Sequence, residues 1–162
     1  MKRPLLYVLI CGIILIVIYI ILSHRGRGSK EGFDFSKISN FYGRWKVIKT
    51  ETFQGSLISD EEFNQAIKEP IIIKENYISC FGVEENNITF KYNKISNKFK
   101  EGEIGDRTTS IFYGFLPERE FTHQYQVWKN NERTGTVFEI LSKDQILFMF
   151  AGRFVIAERE KS

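Results

Sequence analysis

Cysteine and histidine are scarce in this chain, and each scarcity closes off a class of chemistry. Its 162 residues hold two of each. Cys11 lies inside an apolar N-terminal run, which leaves Cys80 alone in the rest, so a disulfide within residues 35–162 is excluded and cysteine usage does not identify the compartment. Metal ligation needs convergent His, Cys or carboxylate side chains. His123 is the one histidine of that region and has no ligand-type spacing to Cys80, so neither a metal centre nor a cofactor is expected. No Gly-x-Gly-x-x-Gly and no phosphate-binding loop occurs; Gly102 and Gly105 belong to the polar stretch KISNKFKEGEIG.

A basic excess is also missing where it would matter. The whole chain has 23 Lys and Arg against 20 Asp and Glu, but Lys2, Arg3, Arg25, Arg27 and Lys30 precede the first acid, Glu31. From Glu31 onward 18 basic residues face 20 acidic ones, a net of −2, so the basic excess expected of a nucleic-acid binder is missing and none is expected as a partner. No internal repeat or low-complexity segment is present.

The third absence is of charge. Leu5 to Leu22, LLYVLICGIILIVIYIIL, contains no Asp, Glu, Lys, Arg or His over 18 residues. As a helix it would span about 27 Å, close to the ~30 Å apolar core of a bilayer. Only a helix pairs its own backbone in lipid, so the run is expected to be a transmembrane helix. It is longer than the ~7–15-residue apolar region of a cleaved signal; Ile21-Leu22-Ser23 lacks the first small residue of a cut and Gly26-Arg27-Gly28 lies among basic residues that resist translocation, which points to an uncleaved signal anchor. Cys11 follows Ile10 rather than a small residue, so it reads as membrane-facing and not as a lipidation site. Basic residues flank the run on both sides, and charge alone does not orient it. Residues 1–22 are thus the anchor, 23–34 a flexible basic linker, and 35–162 one domain.

That domain reads as strands. Phe41 to Thr52 alternates, with Phe41, Gly43, Trp45 and Val47 on one side and Tyr42, Arg44, Lys46 and Ile48 on the other. Ser59 with Glu62 is a capping-box signature opening a short helix over SDEEFNQAIK. Strand-like runs follow at Ile71 to Lys74, Tyr77 to Phe81, Asn87 to Tyr92 and Thr108 to Phe115. FTHQYQVW alternates as a strand from Phe121, although Phe121, Tyr125 and Trp128 also fit helical spacing. Thr136 to Leu141, Gln145 to Phe150 and Arg153 to Glu158 are joined by short hairpin connections. Phe148, Met149 and Phe150 are apolar on both faces, so that strand is expected to be covered on both sides. The fold class is mainly β, an antiparallel meander closing into a barrel with one short helix.

Phe35-Ser36-Lys37 followed by Phe41-Tyr42-Gly43-Arg44-Trp45 resembles the opening motif of lipocalins. The resemblance covers Phe35 to Trp45. It implies that Gly43 and Trp45 close the barrel base, and that an Arg near the last strand, Arg153 or Arg159, packs over the Trp45 ring. The chain departs from the family in lacking its middle Thr-Asp-Tyr motif and in carrying its helix after the first strand.

No catalytic constellation appears. Cys80, on the alternating NYISCFG, reads as a small buried hydrophobe. Glu84-Glu85 and the Glu118, Glu120 pair read as solvated loop charges. Asn87-Ile88-Thr89 is a glycosylation sequon, meaningful only in a glycosylating pathway. The function expected is that of a single-pass, membrane-anchored, non-enzymatic lipocalin-like domain that binds an apolar ligand or a protein partner. The alternative is a small envelope inhibitor or immunity-type protein using the loop Lys94 to Arg107. An enzyme using His123 with Glu118 or Glu120 ranks last. Because lipocalins are mostly exported, the resemblance implies an extracytoplasmic domain.

Overall fold

The computed structural model describes residues 33–98 and 105–161. The expected span at 5–22, Cys11 and linker residues 23–32 lie outside the described residues. Among the described residues no helix is long and apolar enough to cross a membrane. The chain divides into two units, Met1–Phe33 and Asp34–Ser162, and the second holds every element that follows.

Nine antiparallel strands form one sheet: β1 (Gly43–Thr52), β2 (Ile71–Lys74), β3 (Tyr77–Cys80), β4 (Val83–Asn86), β5 (Ile88–Ser96), β6 (Phe121–Lys129), β7 (Glu132–Ser142), β8 (Gln145–Phe150) and β9 (Arg153–Arg159). Their spatial order is β4-β3-β2-β1-β9-β8-β7-β6-β5. Apart from the β1–β9 pair, every pair of strands adjacent in the sheet is consecutive in sequence. β4 and β5 are the two edges, yet only Asn87 separates them in the chain. One residue can join opposite edges only if the sheet curls until they meet. Asn87 makes the bend with φ +57°, a conformation asparagine tolerates better than most side chains. The Ile88 N–H then donates to the Asn76 carbonyl at 3.2 Å, and Thr136 Oγ1 of β7 donates to Glu85 Oε1 of β4 at 2.7 Å. The result is a curled, half-barrel meander: β4 and β5 meet without pairing.

Two-residue turns fix the hairpins. Phe81-Gly82, Asn130-Asn131 and Ala151-Gly152 all have positive φ at both positions, the type I′ pattern whose twist matches paired strands. Gly152 is further constrained. A Cβ there would lie 2.6 Å from the Gly55 carbonyl oxygen, and the Gly152 carbonyl accepts from the N–H groups of Phe53 and Gln54. Gly152→Ala is expected to cost about 2–4 kcal/mol, combining the left-handed penalty with a backbone clash that has no flexible neighbour to relieve it. Urea unfolding followed by tryptophan fluorescence measures it. A loss below about 0.5 kcal/mol, the range of neutral surface changes, would contradict the packing described.

The helix α1 (Asp60–Ala66) begins as its sequence requires: Ser59 Oγ accepts from the Glu62 N–H at 3.2 Å, and the Ser59 N–H donates to Glu62 Oε2 at 2.9 Å. Arg153 of β9 ion-pairs with Asp60, and its guanidinium lies 4.2 Å from the Phe63 ring centre. The helix is thereby pinned beside one end of the sheet.

Three sequence expectations are corrected. Thr108 to Phe115 is not a strand but a covering segment with a 3-10 turn at Ser110–Tyr113. Its apolar residues have a strand-like count, but they serve to cover the outer face of β8 and β9. The strand expected over Asn87 to Tyr92 continues to Ser96, so Lys94 to Ser96 belong to β5 and not to a protruding loop. Glu84-Glu85, expected as solvated loop charges, lie instead on β4, which forms because the Phe81-Gly82 turn folds VEEN back along β3.

Candidate functional site

The concave face is filled by side chains. Rings follow one another from base to mouth: Phe35 on His123 (4.5 Å between centres), Tyr92 on Tyr125 (5.5 Å), Tyr125 on Phe138 (5.5 Å), Phe138 on Phe148 (5.4 Å), Phe148 on Phe81 (5.2 Å) and Phe81 on Phe150 (4.4 Å). Trp45, Phe41, Phe63, Ile71, Ile73 and Ile78 are fully buried beside this column. Aromatic residues bury large areas and interlock at these spacings, so the column is core.

At the base, the residues singled out by the lipocalin resemblance come together in part. The Arg159 guanidinium carbon lies 4.4 Å from the Trp45 ring centre. Arg159 Nη1 donates to the Tyr42 carbonyl at 2.8 Å and Nη2 to the Asn40 carbonyl at 2.5 Å, while Trp45 Nε1 donates to the Phe41 carbonyl at 3.1 Å. Gly43 has φ +141°, and a Cβ there would approach Arg159 Nη1 to 3.3 Å. Arg153, the other arginine considered, sits on Phe63 instead.

His123 faces inward at the same end. Its Nδ1 shares a 2.6 Å hydrogen bond with Tyr92 Oη, and Phe35 stacks on its ring. Glu120 is engaged by Lys98 at 2.6 Å. Burial, followed by the positive charges of Lys94 and Arg119, holds the His123 pKa below its ordinary value. The folded state therefore favours the neutral ring. Stability from this group is complete above about pH 6.5, the unfolded value, and falls as pH drops below it, because the unfolded chain takes the proton first. His123→Phe, which keeps a ring against Phe35, is expected to flatten that part of the pH profile in urea unfolding. An unchanged slope between pH 7 and 5 would contradict the burial described.

Cys80 is 6% exposed, and burial, with a contribution from Glu85, pushes its thiol up to about 12. It is a neutral thiol at physiological pH and no ready nucleophile. Among the described residues no three His, Cys, Asp or Glu side chains converge as a metal site.

One opening lies at the seam where the edges meet. Between the β3–β4 turn and β7–β8 lies an apolar cavity of about 100 Å³, lined by Cys80, Phe81, Val83, Thr136, Phe148 and Phe150 among others. Val83 pairs with Cys80 in register and shares its inner face, yet it stands 53% exposed because β4 has a neighbour on one side only.

Sequence reading missed the polar cluster on the outer face. Glu139 of β7 is 2% exposed. Its Oε1 accepts from the Ser110 N–H at 2.5 Å and its Oε2 from Ser110 Oγ at 2.7 Å and from both Arg119 Nη atoms at 3.0 Å. Together with the Gln124 Nε2 bond to the Thr108 carbonyl (2.7 Å), this staples residues 105–120 over the sheet. Beyond it, Phe115 packs on Phe154 and Tyr113 on Phe53, each at 4.5 Å. Phe112 and Tyr113 are each 37% exposed there, and Arg107 lies 5.9 Å from the Phe112 ring centre. No protein-family model matches this chain, and neither a curated protein nor a solved structure does.

Proposed function

We propose that this chain is a membrane-tethered, non-enzymatic, lipocalin-like domain whose task is to bind a protein partner at the cell envelope. The observation that carries this reading is the column of rings on the concave face. Enclosed apolar ligands need cavities of about 300–1,000 Å³. The apolar cavity at the seam is about 100 Å³, and the space behind it is taken by Phe148, Phe138 and Tyr125. Binding then falls to the surface, where Phe112, Tyr113 and Val83 stand exposed. Aromatic anchors and unpaired edges are what partner proteins use.

The tether in this reading is the uncharged run Leu5 to Leu22, with the domain outside the cytoplasm as in most lipocalins. Protease shaving of intact cells tests the side. Digestion of residues 35–162 from without is expected, and full protection while the cytoplasm stays sealed would overturn the placement. Extraction from membranes without harsh detergent tests the partner. A second polypeptide at one-to-one stoichiometry is expected, and a chain that leaves the membrane with lipid or a small molecule alone would overturn the reading.

A further inference from the structure

We propose that β4 is the docking edge for the partner: an extended, basic segment adds as a strand beside β4 and seats one aliphatic side chain in the cavity at the seam. The inference deepens the partner-binding reading and rests on it.

The first support is the edge itself. Among the described residues β4 pairs with β3 alone. A two-residue turn makes its flanking residues, Cys80 and Val83, a hydrogen-bonded pair, and pairing then alternates along the ladder. Val83 and Glu85 turn their backbone groups toward β3, so Glu84 and Asn86 present theirs to the open side. Natural edges are blunted by proline, lysine, bulges or cover. β4 is four residues long, has neither of those two residues and keeps an unbroken register with β3, so what blunts it is the acidic charge of Glu84 and Glu85, which a basic strand neutralises.

The second support is the cavity. An apolar void of ~150 Å³ accepts a benzene ring. The seam, at about 100 Å³, therefore suits one branched aliphatic side chain and is too small for a free lipid chain. A strand laid against β4 would place alternate side chains toward that inner face and cover Val83.

Charge selects the partner. Two grooves adjoin the turn at Phe81-Gly82: one of about 640 Å³ is lined by Glu61, Glu62 and Glu69, and one of about 370 Å³ by Glu69 and Glu84 with Arg44 as its one cation. Both grooves meet at that turn, beside the cavity's Phe81, and both carry more acid than base, so a cationic segment is attracted there and an acidic one is repelled.

The test uses the full chain in nanodiscs and a short capped peptide alternating lysine and leucine. Hydrogen exchange at the Glu84 and Asn86 amides is expected to slow by about tenfold or more when the peptide binds. Replacing leucine by serine, lysine by glutamate, or the peptide's bonding amides by N-methyl amides should each weaken binding by about tenfold. On the protein side, Glu84→Pro removes both the carboxylate and an outward N–H without touching the β3 ladder and should abolish binding, whereas Glu84→Thr, which loses the same charge but keeps that N–H, should weaken it by less than about tenfold. Unchanged exchange at Glu84 and Asn86, equal binding of the N-methylated peptide, or equal binding of the acidic one would overturn the proposal. Recovery of a stoichiometric membrane partner by wild type and Glu84→Pro alike would overturn this edge while leaving the partner-binding reading intact.

Discussion

Replacing Glu139 by alanine is expected to destabilise the domain by about 3 kcal/mol, the low end of the range for breaking a buried ion pair. Glu139 is 2% exposed and Arg119 is 16% exposed, so the truncation strands a largely buried guanidinium and orphans the Ser110 N–H. The cost comes from what is left behind more than from the attraction lost. Replacing both partners together by methionine should therefore recover much of it. The surface pair Lys98–Glu120 makes the comparison: its side chains are 75% and 58% exposed, and its removal should cost less than about 1 kcal/mol. Urea denaturation of the four proteins decides. Equal losses at the two sites would mean that Glu139 is not the staple for residues 105–120.

Trp45→Ala is expected to cost about 3–5 kcal/mol, as for other fully buried large rings. It removes an indole with no exposure, its bond to the Phe41 carbonyl and the platform under Arg159. Arg159→Lys should cost about 1 kcal/mol, because an ammonium can keep one carbonyl contact but loses the planar stack and the second donor. If Trp45→Ala unfolds at the same urea concentration as wild type, the base is not where the structure is held.

Much of this base was legible beforehand. The lipocalin resemblance implies Gly43, Trp45 and one of the two C-terminal arginines, and alternation puts Trp45 inward. Periodicity could not choose between Arg153 and Arg159. Both follow Gly152 within the last strand, and register alone sets Arg159 opposite Trp45. The helix was legible for a local reason, since a capping box is completed within four residues. β4 was not, since its pairing depends on a turn with Phe81 in a left-handed conformation, a position sequence rules assign to Gly or Asn.

Glu139 illustrates the other limit. An acid at an outward strand position reads as solvated. The signal against that reading lay in the neighbouring strand, where Leu147 and Met149 show that the outer face is covered. The same cover extends across to β7. The covering segment itself is not legible because an irregular stretch packed on a sheet satisfies no period.

The central claim is that the domain's binding capacity lies on its surface and its interior is full. Native mass spectrometry of the chain released from membranes in nanodiscs tests it most directly. The account predicts a complex whose added mass is a polypeptide, with the chain otherwise free of cargo. A chain carrying one apolar small molecule in stoichiometric amount, and no second polypeptide, would contradict it.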